Sequence, residues 1–131
     1  TKITALLNEL YSEANARSIL LAEKSGQHLA MVGEESPHVM ALSALVVGAF
    51  SSTREIARLL GEPEFKTMFQ QGNRLNIFIS LLDSQDLITV IFDERTTLGM
   101  IKLKTQQMTK RISEEIKNMS QSQVGQGGPW R

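Results

Sequence analysis

The chain has 131 residues, 41% of them hydrophobic and 21% charged, which is enough to bury one sizeable core and too little for two ordinary domains. Fourteen Lys and Arg balance fourteen Asp and Glu, so no net field draws the protein to nucleic acid, an acidic membrane or a polyanionic substrate, and a protein partner is favoured. The absence of cysteine removes disulfides, thiolate metal sites and cysteine nucleophiles, and no eighteen-residue uninterrupted apolar run or signal-peptide pattern is present, so the chain reads as cytoplasmic with no membrane span.

Ile3, Leu6, Leu7, Leu10, Tyr11 and Ala14 fall at spacings of three, four and seven, which predicts a first helix capped by Thr1 or Thr4. Ser18 to Glu23 and His28 to Gly33 are apolar runs joined by the turn-like Lys24-Ser-Gly-Gln27, and read as a β-hairpin. After the loop Gly33-Glu-Glu-Ser-Pro37, with Ser36 as the expected cap, a helix runs from Val39 to Leu60 and ends at Gly61. Glu64 to Gln71 and Arg74 to Asp83 form a second strand pair about Gly72-Asn73. In the latter strand, Leu75, Ile77, Ile79 and Leu81 share one face and Phe78 and Leu82 the other. Leu87 to Asp93 is apolar on both faces apart from Thr89, as a strand in the middle of a sheet should be. A last amphipathic helix, capped by Thr96 or Thr97, carries Leu98, Ile101, Met108, Ile112, Ile116 and Met119, and a disordered tail is expected from 120 to 131. The expected architecture is a single α+β domain over residues 1–119, of order α-β-β-α-β-β-β-α, with a five-stranded antiparallel sheet and helices on both faces.

The catalytic templates find no matching residues. His28 and His38 lack HxxxH or HExxH spacing, and GxSxG, Walker A and GxGxxG sequences are missing. The adjacent acids Glu34-Glu35 and Glu114-Glu115 read as solvated charges, and one Tyr and one Trp do not make a base-stacking platform. No catalytic residue, cofactor or metal site is expected.

The middle helix carries more apolar surface than one sheet can cover. Leu42, Leu45, Ala49, Ile56 and Leu60 make a stripe suited to the sheet, while Val46, Val47 and Phe50 point elsewhere and are expected at an interface with a second subunit. A third stripe holds Ala44, Gly48, Ser51, Ser52 and Glu55, whose small side chains admit a partner backbone closely. Phe65, Thr67, Met68 and Phe69 lie in a short strand flanked by turns, the pattern of an edge, and an uncharged edge with only Lys66 to discourage pairing invites a copy of itself; these four are expected at the same dimer interface.

Ala14-Asn-Ala-Arg17, Lys24-Ser-Gly-Gln27, Ile56-Ala-Arg-Leu-Leu-Gly61, Glu64-Phe65 and above all Val90-Ile-Phe-Asp-Glu-Arg-Thr-Thr-Leu-Gly-Met-Ile-Lys-Leu103 resemble the roadblock/dynein light chain superfamily in its bacterial, MglB-like branch, from about Leu6 to Met119. In the last motif Arg95 is expected to hold the turn through Asp93 or backbone carbonyls, and Gly99 either to let the last helix approach the sheet or to be neutral. The resemblance implies a homodimer whose edge strands join into one continuous sheet and whose middle helices lie side by side. It also implies that this platform engages a small Ras-like GTPase of the MglA type and modulates its nucleotide cycle, in cell polarity or motility, a setting that extends to recruitment at cell poles. Gly48, Ser51, Ser52 and Glu55 correspond to the GTPase-facing helix, with Ala44 and Arg58 beside them; Glu55, flanked by Arg54 and Arg58, departs from the small residues of relatives. The short tail likewise departs from the longer C-terminal segment of relatives. A scaffold that localises a polarity or motility complex without changing hydrolysis is the alternative.

Overall fold

A computed structural model describes the backbone of residues 1–126 and the side chains of residues 1–119. Helix α1 (Lys2–Ala14) starts at Thr1, whose Oγ1 accepts a hydrogen bond from the Thr4 N–H at 3.2 Å, and stops at Asn15, a left-handed residue at φ 56°. Asn tolerates that conformation because its short side chain finds a local partner; here Asn15 Nδ2 donates to the Arg95 carbonyl at 3.0 Å, which ties the end of α1 to the turn around Arg95. Strands β1 (Ser18–Ala22) and β2 (His28–Gly33) form the expected hairpin. Gly33 is required where it stands: its φ is +85°, and a β-carbon there would lie 2.5 Å from the Arg17 carbonyl oxygen.

Helix α2 (Val39–Leu60) ends at Gly61, in the left-handed region at φ 75°, as its sequence demands. Its start differs from expectation: His38 occupies the cap position without a side-chain cap, and the Ser36 hydroxyl accepts from the His38 N–H at 3.1 Å, so Ser36 shapes the turn before the helix. Strands β3 (Thr67–Gln71), β4 (Asn76–Leu81) and β5 (Leu87–Phe92) follow. Strand β3 begins only at Thr67, three residues later than predicted, and β4 begins at Asn76 because Gly72 N–H donates to the Leu75 carbonyl and the turn takes in Arg74 and Leu75. Helix α3 (Leu98–Gln126) is capped by Thr97, whose Oγ1 accepts from the Met100 N–H at 3.1 Å. It continues past Ser120, where the tail was expected to begin, as far as Gln126, with no Pro in the way before position 129. Residues 127–131 of that tail lie outside the described residues. Gly99 proves neutral, since a β-carbon there would meet only the Thr97 hydroxyl at 4.0 Å.

All pairings are antiparallel, in the order β2-β1-β5-β4-β3, so β5 takes the middle place that its two apolar faces predicted, and β2 and β3 are the edges. Alternation along the strands sends Ile19, Leu21, Phe78, Ile88, Val90 and Phe92 to one face, where Ile3, Leu7 and Leu10 of α1 and Ile101, Met108 and Ile112 of α3 close the larger core. Ala22, Ile79 and Leu87 project to the other face, where α2 alone covers them. The connection from β2 to β3 spans the whole sheet, and α2 is that connection.

Candidate functional site

Helix α2 seats Val46, Val47 and Phe50 on its own sheet, only 5%, 9% and 2% exposed, against Ala22, Ile79 and Leu87. These three were expected to meet a second subunit, and the structure corrects that assignment. The stripe expected to cover the sheet faces outward instead: Leu45 and Leu60 are about 70% exposed and Ile56 is half exposed, with only Leu42 packed against the core. Periodicity identifies both stripes, but two apolar stripes on one helix leave open which one turns inward. The stiff β-branched pair and the aromatic ring fill the space above the sheet, and the thinner stripe is left to solvent.

The helix therefore presents an outer surface with two flanks. One carries Leu45, Ala49, Ile56 and Leu60; the other carries Ala44, Gly48, Ser51, Glu55 and Arg58, with Ser52 between them, and all ten are exposed. A β-carbon on Gly48 would meet nothing within 4 Å, so the fold of the chain itself does not ask for glycine there. Arg58 reaches back one turn to Glu55, with Nε at 2.9 Å from Oε1 and its NH2 group on the same oxygen. At two-thirds exposure each, these charges gain little from one another and are free to exchange partners. Ser52 Oγ and Thr53 Oγ1 donate to the Ala49 and Phe50 carbonyls at 2.7 and 2.6 Å, which commits these two hydroxyl protons to the helix's own backbone.

Edge strand β3 contributes less side chain than expected. Met68 packs under α2, Phe65 is half-buried, and Phe69 lays its ring over Phe92 at a centroid distance of 6.2 Å, so these apolar groups are partly used within the chain. Thr67 is exposed. The outer backbone edge of β3 has no strand beside it among the described residues, so it is main chain more than side chain that is available.

A polar junction that sequence reading half anticipated locks the opposite end of the sheet. Asp93 Oδ1 accepts from the Arg95 backbone N–H at 3.1 Å and from Arg95 Nε at 3.0 Å, as predicted. Arg17 adds a bond to Asp93 Oδ2 at 3.3 Å while holding Glu34 at 2.6 Å, a bridge between β1, β2 and β5 that sequence spacing does not reveal. The Arg95 N–H, joined by the Arg95 and Arg17 guanidiniums, holds the Asp93 carboxyl below its ordinary value against the opposing pull of burial. The junction brings together the two motif segments Ala14–Arg17 and Phe92–Arg95, and its role is to fasten the sheet to α1.

The larger surface cavities lie away from the outer face of α2. One of about 430 Å³ sits between the β1–β2 turn and α3, and one of about 350 Å³ between α1 and α3; neither contains a residue of α2. Among the described residues no three His, Asp or Glu lie close enough to hold a metal ion. By length and composition α2 is long and apolar enough to cross a membrane, but its inner side chains are packed on its own sheet.

A five-stranded antiparallel sheet flanked by a helix pair on one side and a single long helix on the other is the framework, and the Roadblock/LC7 domain model matches residues 2–92; the chain belongs to the Roadblock/LC7 domain family. Within that family it is MglB-like. Myxococcus xanthus MglB superposes with a TM-score of 0.84 at 28% identity, covering 90% of this chain and 97% of that one. The gliding protein MglB from Thermus thermophilus gives 0.79 at 30% identity, covering 87% and 90%. A structure described as MglB with tetrameric arrangement gives 0.80 at 30% identity, covering 87% and 89%. No curated protein sequence matches significantly. The family model stops at Phe92, so α3 and most of the motif ending at Leu103 are matched by the structural relatives and not by the family model.

Proposed function

We propose that the protein is a non-enzymatic, homodimeric regulator of a small Ras-like GTPase of the MglA type, which docks on the outer surface of α2 and whose nucleotide cycle the dimer modulates. The observation that carries this reading is the outer face of α2, where large apolar side chains stand exposed beside a flank of small residues whose size the chain's own packing does not require. The likeness to MglB over nearly the whole chain supports it, and the description of the Thermus relative as a gliding protein supports gliding motility as the process; a role in cell polarity, served from the cytoplasm with recruitment to the cell poles, is part of the same proposal. The tetrameric arrangement described for another relative supports self-association. In this reading the edge strands β3 of two copies join into one continuous sheet and bring the two α2 helices side by side.

The mechanism is conformational selection. A dimer that prefers the GTP-bound switch arrangement stabilises it by the difference in its affinities for the two states, and the catalytic groups remain those of the GTPase. Ala44, Gly48, Ser51 and Ser52 admit the partner backbone, and Glu55 and Arg58 supply the charges that a partner must match. An arginine finger from Arg54 or Arg58 is the version in which this chain also touches the transferring phosphoryl group. Stimulated hydrolysis that is lost in Arg54→Ala or Arg58→Ala, with binding retained, would establish it.

The test is titration of an MglA-type GTPase loaded with a GTP analogue or with GDP. Unequal affinities are expected, together with loss of binding in Ser51→Arg while the dimer persists. Equal affinity for both states would mean an adaptor that localises a complex without changing hydrolysis. Unchanged binding by Ser51→Arg would remove the small-residue flank as the docking surface.

A further inference from the structure

We infer that the chain's own residues Trp130 and Arg131 fold back into the cavity of about 430 Å³ beside the end of α3, the indole on its apolar lining and the guanidinium at the buried carboxylate of Asp86. The inference is independent of the GTPase reading and concerns a cavity that α2 does not line.

The cavity lies where α3 passes the β1–β2 and β4–β5 turns. Ile3 and Leu21, both buried, and the half-buried Ile116 give it an apolar lining; Leu29 and Met119 belong to the same lining and remain exposed. A large flat side chain covers more of such a surface than any aliphatic one. The polar groups of the cavity lack partners. Asp86 is 5% exposed, yet its carboxylate receives the Lys24 N–H at 3.2 Å on Oδ1 and makes no ion pair among the described residues. Lys24 and Lys117 line the cavity too, but both are exposed and neither ammonium is bonded to it. A carboxylate taken out of water needs a cation or further donors. Ser84 Oγ is buried in the same wall with no hydrogen-bond partner among the described residues. A hydroxyl oxygen can accept the N–H that a buried indole must give. Glu23, whose Oε1 accepts from the Ser25 hydroxyl at 2.6 Å, adds a second carboxylate to the cavity.

The end of the chain carries the matching groups and the means to bring them there. Helix α3 ends at Gln126, seven residues and about 10 Å beyond Met119. Gly127 stands eleven residues on from Ile116, about three turns, so the chain leaves the helix on the flank that lines the cavity. Gly127, Gly128 and Pro129 are residues that stop a helix and let the chain reverse. The four residues from Gly127 to Trp130 reach about 13 Å when extended, which returns Trp130 to the level of Met119. The indole then covers Leu29 and Met119 with its N–H toward Ser84, and Arg131 supplies the cation that Asp86 needs. A tether this short gives the segment a high effective concentration at its own cavity, which favours it over the same segment of another copy.

Trp130 is the only Trp of the chain, so its fluorescence tests the inference directly in the full chain. Its emission is expected at shorter wavelength in the folded chain than in denaturant, with weaker quenching by acrylamide, and unchanged on dilution. Leu29→Gln and Met119→Gln, both at exposed positions, should each move the emission toward the denatured wavelength with an unchanged circular dichroism spectrum. Asp86→Asn keeps the oxygen that receives the Lys24 N–H and removes the charge; it should increase quenching, and Arg131→Gln should do the same. Emission at the denatured wavelength in the folded chain overturns the inference. So does a short-wavelength emission that Leu29→Gln and Met119→Gln leave in place, or one that moves to the red on dilution, which would put the indole against another copy.

Discussion

On one face of the sheet α1 and α3 lie side by side and enclose Phe78, Val90 and Phe92 completely; on the other, α2 lies alone over Ala22, Ile79 and Leu87. The paired helices shield each other, and their exposed sides are tied by ion pairs such as Glu9 with Arg111, which holds the Glu9 carboxyl below its ordinary value. A single helix has no neighbour to shield it. Its inner side chains complete a small core, and its outer ones remain apolar and exposed. The first face spends most of its hydrophobic surface within the chain, leaving Met100, Leu103 and Met119 of α3 about 40–50% exposed, whereas on α2 Leu45, Leu59 and Leu60 are exposed to about 70%.

Four substitutions probe that contrast. The largest expected effect is on the closed face, where Phe92→Ala should cost about 4 kcal/mol by denaturant unfolding, because it opens the main core and removes the support of Phe69. Phe50→Ala should cost about 3 kcal/mol; a loss below about 1 kcal/mol would mean that α2 is not seated as described. Gly33→Ala should cost about 1–3 kcal/mol, since it combines a positive φ with a β-carbon placed on the Arg17 carbonyl. Gly48→Ala should have the opposite sign and raise the stability of the chain by about 0.5–1 kcal/mol, as alanine favours a helix and meets only open space here. If it also weakens GTPase binding, the glycine serves the partner and not the fold.

The smallest expected effect is in pH dependence. The Asp93 carboxyl is held below its ordinary value in the folded chain, so the stability it contributes is complete above the ordinary aspartate range and is lost as pH falls through the depressed native value. Asp93→Asn should be less stable than the parent at neutral pH, and the gap should close as the pH drops below that range. A gap that stays constant with pH would show that the Arg95 and Arg17 contacts do not depend on charge.

Much of this fold is legible in the sequence because each element carries its own punctuation. Thr1 and Thr97 cap, Gly61 terminates, and the run Leu87–Phe92, apolar on both faces apart from Thr89, marks the central strand. Gly33 and the Arg17 bridge escape such a reading, since what constrains them is a neighbour distant in sequence. The outer face of α2 was legible in its parts and not in its orientation. The stripes around Leu45, Val46 and Gly48 are all visible from spacing, but Val46, Val47 and Phe50 were given to the partner when the sheet claims them. Composition could not decide this, because an apolar residue that meets its own sheet and one that meets a second subunit obey the same chemistry.

The measurement that bears most directly on these proposals is the mass of the chain in solution at micromolar concentration, by sedimentation equilibrium. A particle of twice the 14.6 kDa subunit is expected, reduced to one subunit by Ile56→Lys. A 14.6 kDa particle that stays soluble and folded with Leu45, Ile56 and Leu60 open to water would contradict the claim that the outer face of α2 exists to be shared.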